Sequence, residues 1–322
     1  RGGRGRGPGR GGDVTDSVPE LYDAVVVGGG AAGFAAATWL ARYRRRVAVL
    51  DAGETRNRWV EAAHGYLGGD PLRPGELLAR AREQLLRYPE AEVCSGRAER
   101  VLRGDDGLFV VETGDGPLRA RRLVLATGVR DEFPEVERFF EHYGATVFHC
   151  PTCDGYEAKD ARVVVFGWSE EVTGFALTLL GWAREVLVVT EGRAFEGDAA
   201  CRVRLQAGSV PVIEDDAVEL LGERGRLEGV RLRDAGVVAC DLAFFSIAHH
   251  PCAELAEQLG CRLSPEGYVE VDDEAATSVP GVYAAGDLTP GLQLLQVAAA
   301  KGAIAGVACS QSLRAEDPGP EE

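Results

Sequence analysis

The stretch YDAVVVGGGAAGFAAATWLARYRRRVAVLDAG, residues 22–53, constrains the fold of this chain more than any other segment. Its apolar run from Tyr22 to Val27 reads as a buried strand, the Ala-rich segment from Ala31 to about Arg44 as a helix, and the run ending at Asp51 as a second strand. Gly28, Gly30 and Gly33 occupy the positions of a G-x-G-x-x-G turn between them. Gly28 permits the tight turn, Gly30 lets a pyrophosphate approach the backbone, and Gly33 lets helix and strand pack closely. The helix N-terminus favours the phosphates, and Asp51, 18 positions after Gly33, is placed to accept hydrogen bonds from a ribose. A glycine pattern alone is a weak signal; a strand before it, a helix after it and an acid closing the next strand make it the context of a dinucleotide site.

The rest of the chain is large enough to support such a fold without covalent staples. It has 322 residues, 45% of them hydrophobic, enough for one large core or two ordinary ones. Of the 8 cysteines, Cys94, Cys201, Cys240, Cys252, Cys261 and Cys309 are scattered singly and read as small buried hydrophobes. No segment resembles a cleavable signal, and no apolar run is long enough to span a bilayer, so the cytoplasm is the expected compartment and no membrane the expected partner. A formal charge of −16 opposes nucleic-acid binding by the body of the protein. Residues 1–17, with their basic RGGRGRGPGRGG run, and the acidic end at 316–322 have nothing to bury and are expected to be disordered. With no Met anywhere, an initiator included, the upstream boundary is expected not to be a natural one.

The remaining cysteines form a Cys-x-x-Cys in FHCPTCDGYE, residues 148–157. Cys150 and Cys153 could hold a metal, staple a loop or move electrons. Zinc wants four ligands, and the only other candidates are His249, His250 and Cys252 in AHHPC, so no metal site is expected. A lasting disulfide is unusual in the cytoplasm, whereas a cycling one is catalytic. Two further segments bear on the choice. RRLVLATG, ending at Thr127 and Gly128, is a buried strand running into a turn; GVYAAGDLTPGLQLLQVAAAKGAIAGVAC is a short strand, Ala285-Gly286-Asp287, and then a long small-residue helix carrying Gln296.

The order of these pieces, a three-glycine βαβ unit, Ala-Thr-Gly, Cys-x-x-Cys-Asp-Gly and Gly-Asp before a helix, resembles the low-molecular-weight thioredoxin reductase family of FAD-dependent pyridine nucleotide-disulfide oxidoreductases across residues 20–313. The resemblance implies an α/β fold of two Rossmann-like, three-layer ββα-type nucleotide-binding domains, the second inserted in the first. The FAD domain would comprise residues 18–134 and 245–315, and the inserted pyridine-nucleotide-like domain residues 135–244. It implies FAD as cofactor, held at Gly28, Gly30, Gly33, Asp51, Asn57, Thr127, Gly128, Gly286, Asp287 and Gln296, and a homodimer as the assembly. Asp287 would sit near the ribityl and phosphate portion, and Gln296 at the start of the helix facing the flavin. Cys153 would exchange electrons with FAD, Cys150 would exchange disulfides with substrate, and Asp154 would serve as general acid and base. One of His249 and His250 is a candidate base toward the substrate, His250 being the one selected; neighbours in an extended segment point apart, so at most one faces the site.

Residues 161–192, ARVVVFGWSEEVTGFALTLLGWAREVLVVTEG, independently repeat the strand-turn-helix-strand plan. Here Gly167 is followed by Ser169 and Val172 where the second and third glycines belong, with Trp168 beside them. After the next strand come Glu191 and, as sole cation, Arg193, so an NADPH site is expected to be lost. RNRWVEAAHGYLGGD, residues 56–70, and the Tyr-Glu after the cysteine pair resemble a subgroup of thioredoxin-reductase-like thiol oxidases that includes fungal dithiol oxidases of sulfur-bridged metabolites. Arg56, Asn57 and His64 are candidates for the flavin or substrate mouth. The expected function is oxidation of a small or protein dithiol, with electrons leaving through FAD to an acceptor such as dioxygen. Reduction of a disulfide such as that of thioredoxin, fed by ferredoxin or an atypically bound NAD(P)H, and a flavin-containing redox sensor remain as alternatives.

Overall fold

The structure, a computed structural model, describes residues 21–314, 316 and 317. Leu21–Val27 forms β1 and Ala31–Arg42 forms α1, which ends two residues early because Arg44 adopts a left-handed conformation (φ 60°) and turns the chain into β2, Val47–Asp51. α2 (Pro74–Leu85), β3 (Ala91–Ser95), β4 (Ala98–Arg103), β5 (Phe109–Thr113) and β6 (Leu118–Leu125) complete this unit. β7 (Val129–Asp131), α3 (Phe139–His142), β8 (Val147–Phe148) and the single turn α4 (Pro151–Asp154) lead into the second: β9 (Arg162–Phe166), α5 (Glu171–Leu179), β10 (Glu185–Val189), α6 (Ala199–Ala207) and β11 (Val212–Ile213). A meander of β12 (Ala217–Glu223), β13 (Arg226–Leu232) and β14 (Val237–Val238) precedes β15 (Leu242–Phe245). The chain then returns through β16 (His249–Pro251), α7 (Glu254–Gln258), β17 (Val282–Ala284) and α8 (Leu295–Arg314).

The first sheet runs β3-β2-β1-β6-β5-β4, with β17 also paired to β6. Its β3, β2, β1, β6 and β17 are parallel, while β4 and β5 add antiparallel strands. The second sheet, β11-β10-β9-β15-β8, is parallel throughout, and β16 pairs antiparallel with β7. Both sheets belong to an α/β architecture of two Rossmann-type units. Strand β1 is apolar from Ala24 onward because both its faces are covered there: Ala24 and Val26 pack with α1 and α8, whereas Val25 and Val27 pack with Leu123, Leu125 and Leu288 on the opposite side.

Glycines set the closest approaches in the first unit. A methyl on Gly33 would lie 1.8 Å from the Gly28 carbonyl oxygen, and one on Gly28 (φ +115°) 2.2 Å from that of Ala126. Along α8, methyls on Gly302 and Gly306 would lie 2.0 and 2.4 Å from the carbonyl oxygens of Ala32 and Ala36, so α8 rests directly on the α1 backbone.

Two local expectations need correction. Ala285-Gly286-Asp287 is not a strand: β17 ends at Ala284, Gly286 takes φ +79°, and Gly286–Leu288 makes a tight turn. The acidic end is ordered at its start, because Glu316 pairs with Arg121 and Arg122, and Asp317 with Arg45 and Arg121. The expected tails at 1–17 and 318–322 lie outside the described residues.

Two glycine substitutions should separate close packing from helix propensity. Gly302→Ala is expected to destabilise the fold by about 1–3 kcal/mol, since the oxygen it meets is backbone and cannot rotate aside. Gly174→Ala, on α5 where a methyl meets nothing within 4 Å, is expected to stabilise by about 0.4–1 kcal/mol. Urea denaturation of both variants at matched cofactor occupancy checks the opposite signs.

Candidate active site

The turn before α1 is shaped for a diphosphate. A methyl on Gly30 would meet nothing within 4 Å, no side chain caps α1, and no acidic residue stands in its first turn, so the positive end of the helix has room beside it at Gly30. Asp51, at the end of β2, accepts the Gly53 amide at 2.8 Å on one carboxylate oxygen, and its other oxygen lies 3.8 Å from Arg82. Thr127 and Gly128 sit just past β6, tied to the return segment: the Thr127 hydroxyl donates to the Cys252 carbonyl at 2.7 Å, and the Cys252 amide to the Gly128 carbonyl at 2.9 Å. Gly286 and Asp287 follow β17 in the turn that packs on Ala32. The four loops converge at the C-terminal ends of parallel strands, where ligands of such sheets bind.

Cys150 and Cys153 are disulfide-bonded, with Cα atoms 5.2 Å apart. Pro151, at the first position of α4, starts the turn, and the Cys153 amide donates to the Cys150 sulfur at 3.1 Å. Both cysteines are partly buried and Thr152 between them is exposed. Asp154 lies behind, 6% exposed, and burial together with Glu157 pushes its carboxyl up to about 7, with His64 acting in the opposite direction. The segment leading to the pair is anchored by aromatic rings. Tyr143 is buried, stacks on Phe139 with centroids 5.2 Å apart and packs edge-on to Phe245, and its hydroxyl lies 3.1 Å from His149 Nδ1. Burial and the Arg56 charge hold the His149 imidazole down at about 4, so it is neutral at physiological pH.

A polar network joins this segment to the first unit. Arg56, in the turn Arg56–Trp59 that also carries Asn57, makes a two-pronged pair with the buried Asp131 of β7, donates to Gln293 Oε1 at 2.7 Å and lies 3.4 Å from Asp287. Burial alone would raise the Asp131 carboxyl, but the Arg56 hydrogen bonds hold it below its usual range. Gln293 continues the chain of contacts to Tyr268 and His249, whose Nε2 is 2.7 Å from the Tyr268 hydroxyl.

The two histidines of β16 do point apart: both are exposed, and the one that joins the network is His249. His250 does not face the network: its Nε2 pairs at 2.6 Å with Glu132 on the outside, and its side chain is 62% exposed. Side-chain alternation along β16 decides this, and the register that sets it is the pairing of His250 with Arg130. Gln296 is the second residue of α8 and is exposed. The network residue on that approach is Gln293, which no sequence motif singles out. His149 also escapes the motifs, although it stands immediately before Cys150; a histidine adjoining a redox Cys-x-x-Cys is the signal that points to it.

The second glycine turn differs in kind from the first. The Arg193 guanidinium lies over the Trp168 ring, 3.8 Å from its centroid, and the Glu196 amide donates to the Trp168 carbonyl at 2.8 Å. Val172 is fully buried, and Glu170 and Glu171 stand at the start of α5 where a pyrophosphate would rest. Glu191, past β10 in a left-handed conformation (φ 54°), has one carboxylate oxygen buried without a hydrogen-bond partner, and burial raises its carboxyl to about 7. Among the described residues no group of three or more His, Cys, Asp or Glu side chains could hold a metal ion, and no helix is long and apolar enough to cross a membrane.

The family model for pyridine nucleotide-disulphide oxidoreductases matches residues 22–302. An alkyl hydroperoxide reductase component from Pseudomonas putida is 31% identical over 92% of this chain, which spans 59% of that relative's length. Thioredoxin reductase tcpT of Claviceps purpurea is 29% identical over 93% of this chain and 97% of its own. The crystal structure of HlmI superposes with a TM-score of 0.86 at 37% identity, covering 92% of this chain and 93% of that one.

The raised Asp154 carboxyl makes a signed prediction about stability. Between its ordinary value of 3.8 and about 7, the folded chain keeps a proton that the unfolded chain has released. The stabilisation is therefore full below the unfolded pKa and falls as pH rises through this window. Asp154→Asn removes the cost of burying the charge, so its stability relative to the parent should increase from pH 4 to pH 8. Urea denaturation at the two pH values measures the difference; Glu191 titrates alike in both proteins and cancels.

Proposed function

Because this chain belongs to the pyridine nucleotide-disulphide oxidoreductase family, as an FAD-dependent thiol/disulfide oxidoreductase of thioredoxin reductase-like type, we propose that it oxidises a dithiol through Cys150 and Cys153 and delivers the electrons to dioxygen or a similar acceptor without NADPH. The observation that carries the reading is the second glycine turn, where Trp168 under Arg193, Ser169 and Val172 replace an open cradle, and Glu170 and Glu171 add negative charge where a phosphate would rest. FAD fits the first turn, whose open Gly30 cradle and uncapped helix start are those of a diphosphate site. We assign its binding to Gly28, Gly30, Gly33, Asp51, Asn57, Thr127, Gly128, Gly286, Asp287 and Gln296, within a unit of residues 18–134 and 245–315 into which residues 135–244 are inserted. The substrate is a small-molecule or protein dithiol, and the assembly a homodimer.

The chemistry follows from the residues around the disulfide. A substrate thiolate attacks the Cys150 sulfur; the Cys150–Cys153 bond breaks as a mixed disulfide forms, and Asp154 gives its proton to the departing Cys153 sulfur. The second substrate thiolate then attacks the mixed disulfide and frees Cys150, so the substrate sulfurs are oxidised and the two cysteine sulfurs reduced. A carboxyl poised near 7 can both give and take a proton at neutral pH, which an ordinary aspartate cannot. Neutral His149, held by Tyr143, keeps a second positive charge away from Arg56 beside the pair. FAD supplies a two-electron acceptor for the reduced pair, and with dioxygen as terminal acceptor two electrons and two protons leave the dithiol to form hydrogen peroxide.

The competing reading, reduction of a thioredoxin disulfide, is the one the tcpT relative's name suggests. Anaerobic addition of a dithiol is expected to bleach the flavin, with rapid recovery in air, and Cys153→Ser to abolish the bleaching. Millimolar NADH or NADPH with a disulfide substrate is expected to give turnover below about 1 per second, the low end of usual enzyme rates. Faster turnover would replace the oxidase by the reductase.

A further inference from the structure

We propose that Lys301 is a positioning residue for the cofactor: its ammonium holds the turn at 286–290 through three converging backbone carbonyls and so keeps Asp287 set for FAD. The inference rests on the assignment of Gly286 and Asp287 to the FAD site and adds to it a residue that acts through the turn. Of the 35 Lys and Arg residues in the chain, only Lys159 and Lys301 are lysines. Arginine is the cation everywhere else, so a lysine at 301 calls for a property that arginine lacks. An ammonium carries its three N–H bonds on one nitrogen and can donate to three acceptors around a point, whereas a guanidinium spreads its donors over a planar fork.

The geometry at Lys301 is that of the ammonium. Its Nζ donates to the Pro290 carbonyl at 2.8 Å, to the Thr289 carbonyl at 3.2 Å and to the Gly286 carbonyl at 3.4 Å. Among the described residues no other hydrogen bond reaches the Thr289 or Pro290 carbonyl. The Thr289 hydroxyl donates to the Gly286 carbonyl at 2.9 Å, so the turn is closed from within as well as from α8. Gly291 (φ +114°) brings the chain past the ammonium, and a methyl there would lie 3.6 Å from Nζ.

The three carbonyls bracket Asp287. Gly286 precedes it, Thr289 and Pro290 follow it, and its carboxylate lies 3.4 Å from Arg56. Lys301 thus holds the backbone on either side of Asp287, while Arg56 meets the side chain. The next residue on α8, Gly302, rests on the backbone of Ala32, and a methyl on Gly286 would lie 2.8 Å from Ala32 Cβ. The start of α1, the turn and α8 therefore meet at Ala32, and Lys301 supplies the polar tie in that contact. Without the ammonium, the Thr289 and Pro290 carbonyls lose their donor and the turn is left to the Thr289 hydroxyl and the packing of Gly286.

The test measures retention of FAD. Flavin-loaded protein is diluted and desalted at intervals, and the flavin kept per chain is read by absorbance. Lys301→Met, which keeps an aliphatic stem and loses the ammonium, is expected to release FAD about 10- to 100-fold faster than the parent. Lys301→Arg is also expected to release it faster, because its fork cannot converge on three carbonyls. In Lys301→Ala, propylammonium is expected to slow release, and tetramethylammonium at the same concentration, with no N–H to donate, is expected not to. Release at the parental rate in Lys301→Met or Lys301→Arg, or no effect of propylammonium on Lys301→Ala, would overturn the role of Lys301. If Lys301→Met takes up no flavin, loading of Lys301→Ala decides: uptake restored by propylammonium supports the role, and none overturns it. A parent that holds no flavin would overturn the FAD assignment together with the role of Lys301, whereas a parent that holds it beside variants that release it no faster overturns Lys301 alone.

Discussion

Close approach of backbone to backbone around α1 is the constraint on which this structure depends. Gly33 and Gly28 bring the helix onto the end of β1, and Gly302 and Gly306 bring α8 onto the helix's other side; at each position a methyl would overlap a carbonyl oxygen. The consequence reaches beyond packing. With α1 pinned on both sides, its first turn is fixed relative to Asp51, to the turn at Gly286 and to the end of β6, with room left at Gly30. Preorganisation of this kind lowers the cost of ordering a flexible dinucleotide.

The second unit repeats the plan without the constraint. Gly167 still allows the turn, since a methyl there would lie 2.6 Å from the Ser246 carbonyl oxygen. Beyond it, Val172 fills the helix-strand contact and the Trp168–Arg193 stack covers the turn. The second sheet keeps its parallel pairing and its hydrophobic packing with Val172 in place of a glycine. Its contribution to the site is different: β8 and the aromatic rings of Phe139, Tyr143 and Phe245 carry the Cys150–Cys153 segment toward the first unit.

Arg56 and His64 show how a single loop joins the two units electrically. Arg56 neutralises Asp131 and approaches Asp287, two carboxylates that burial drives toward protonation. Burial, reinforced by the Arg56 charge, keeps His149 neutral beside Cys150. A buried pair of this sort is costly to break, about 3–5 kcal/mol when one partner is removed, because the other charge is left without compensation. His64 sits at the far end of the same loop, against the residues that follow the disulfide.

The local elements were legible in the residues because they obey short-range rules. The run lengths of β1, α1 and β2, the glycines between them and the repeated plan at 161–192 all follow from chain geometry over a few residues. Sequence by itself also determined that Ser169 and Val172 stand at the second and third glycine positions of the second turn. What the tertiary structure alone decided is which polar groups meet. The register of β16 against β7 turns His249 to Tyr268 and Gln293 and His250 to Glu132, and the convergence of Arg56, Asp131, Gln293 and Asp287 joins residues up to 237 positions apart. The packing of the 56–70 loop on the disulfide segment places His64 by Glu157, and the burial of Asp154 raises its carboxyl to about 7. Such properties depend on desolvation and on charges brought from distant segments, and neither is a function of local sequence.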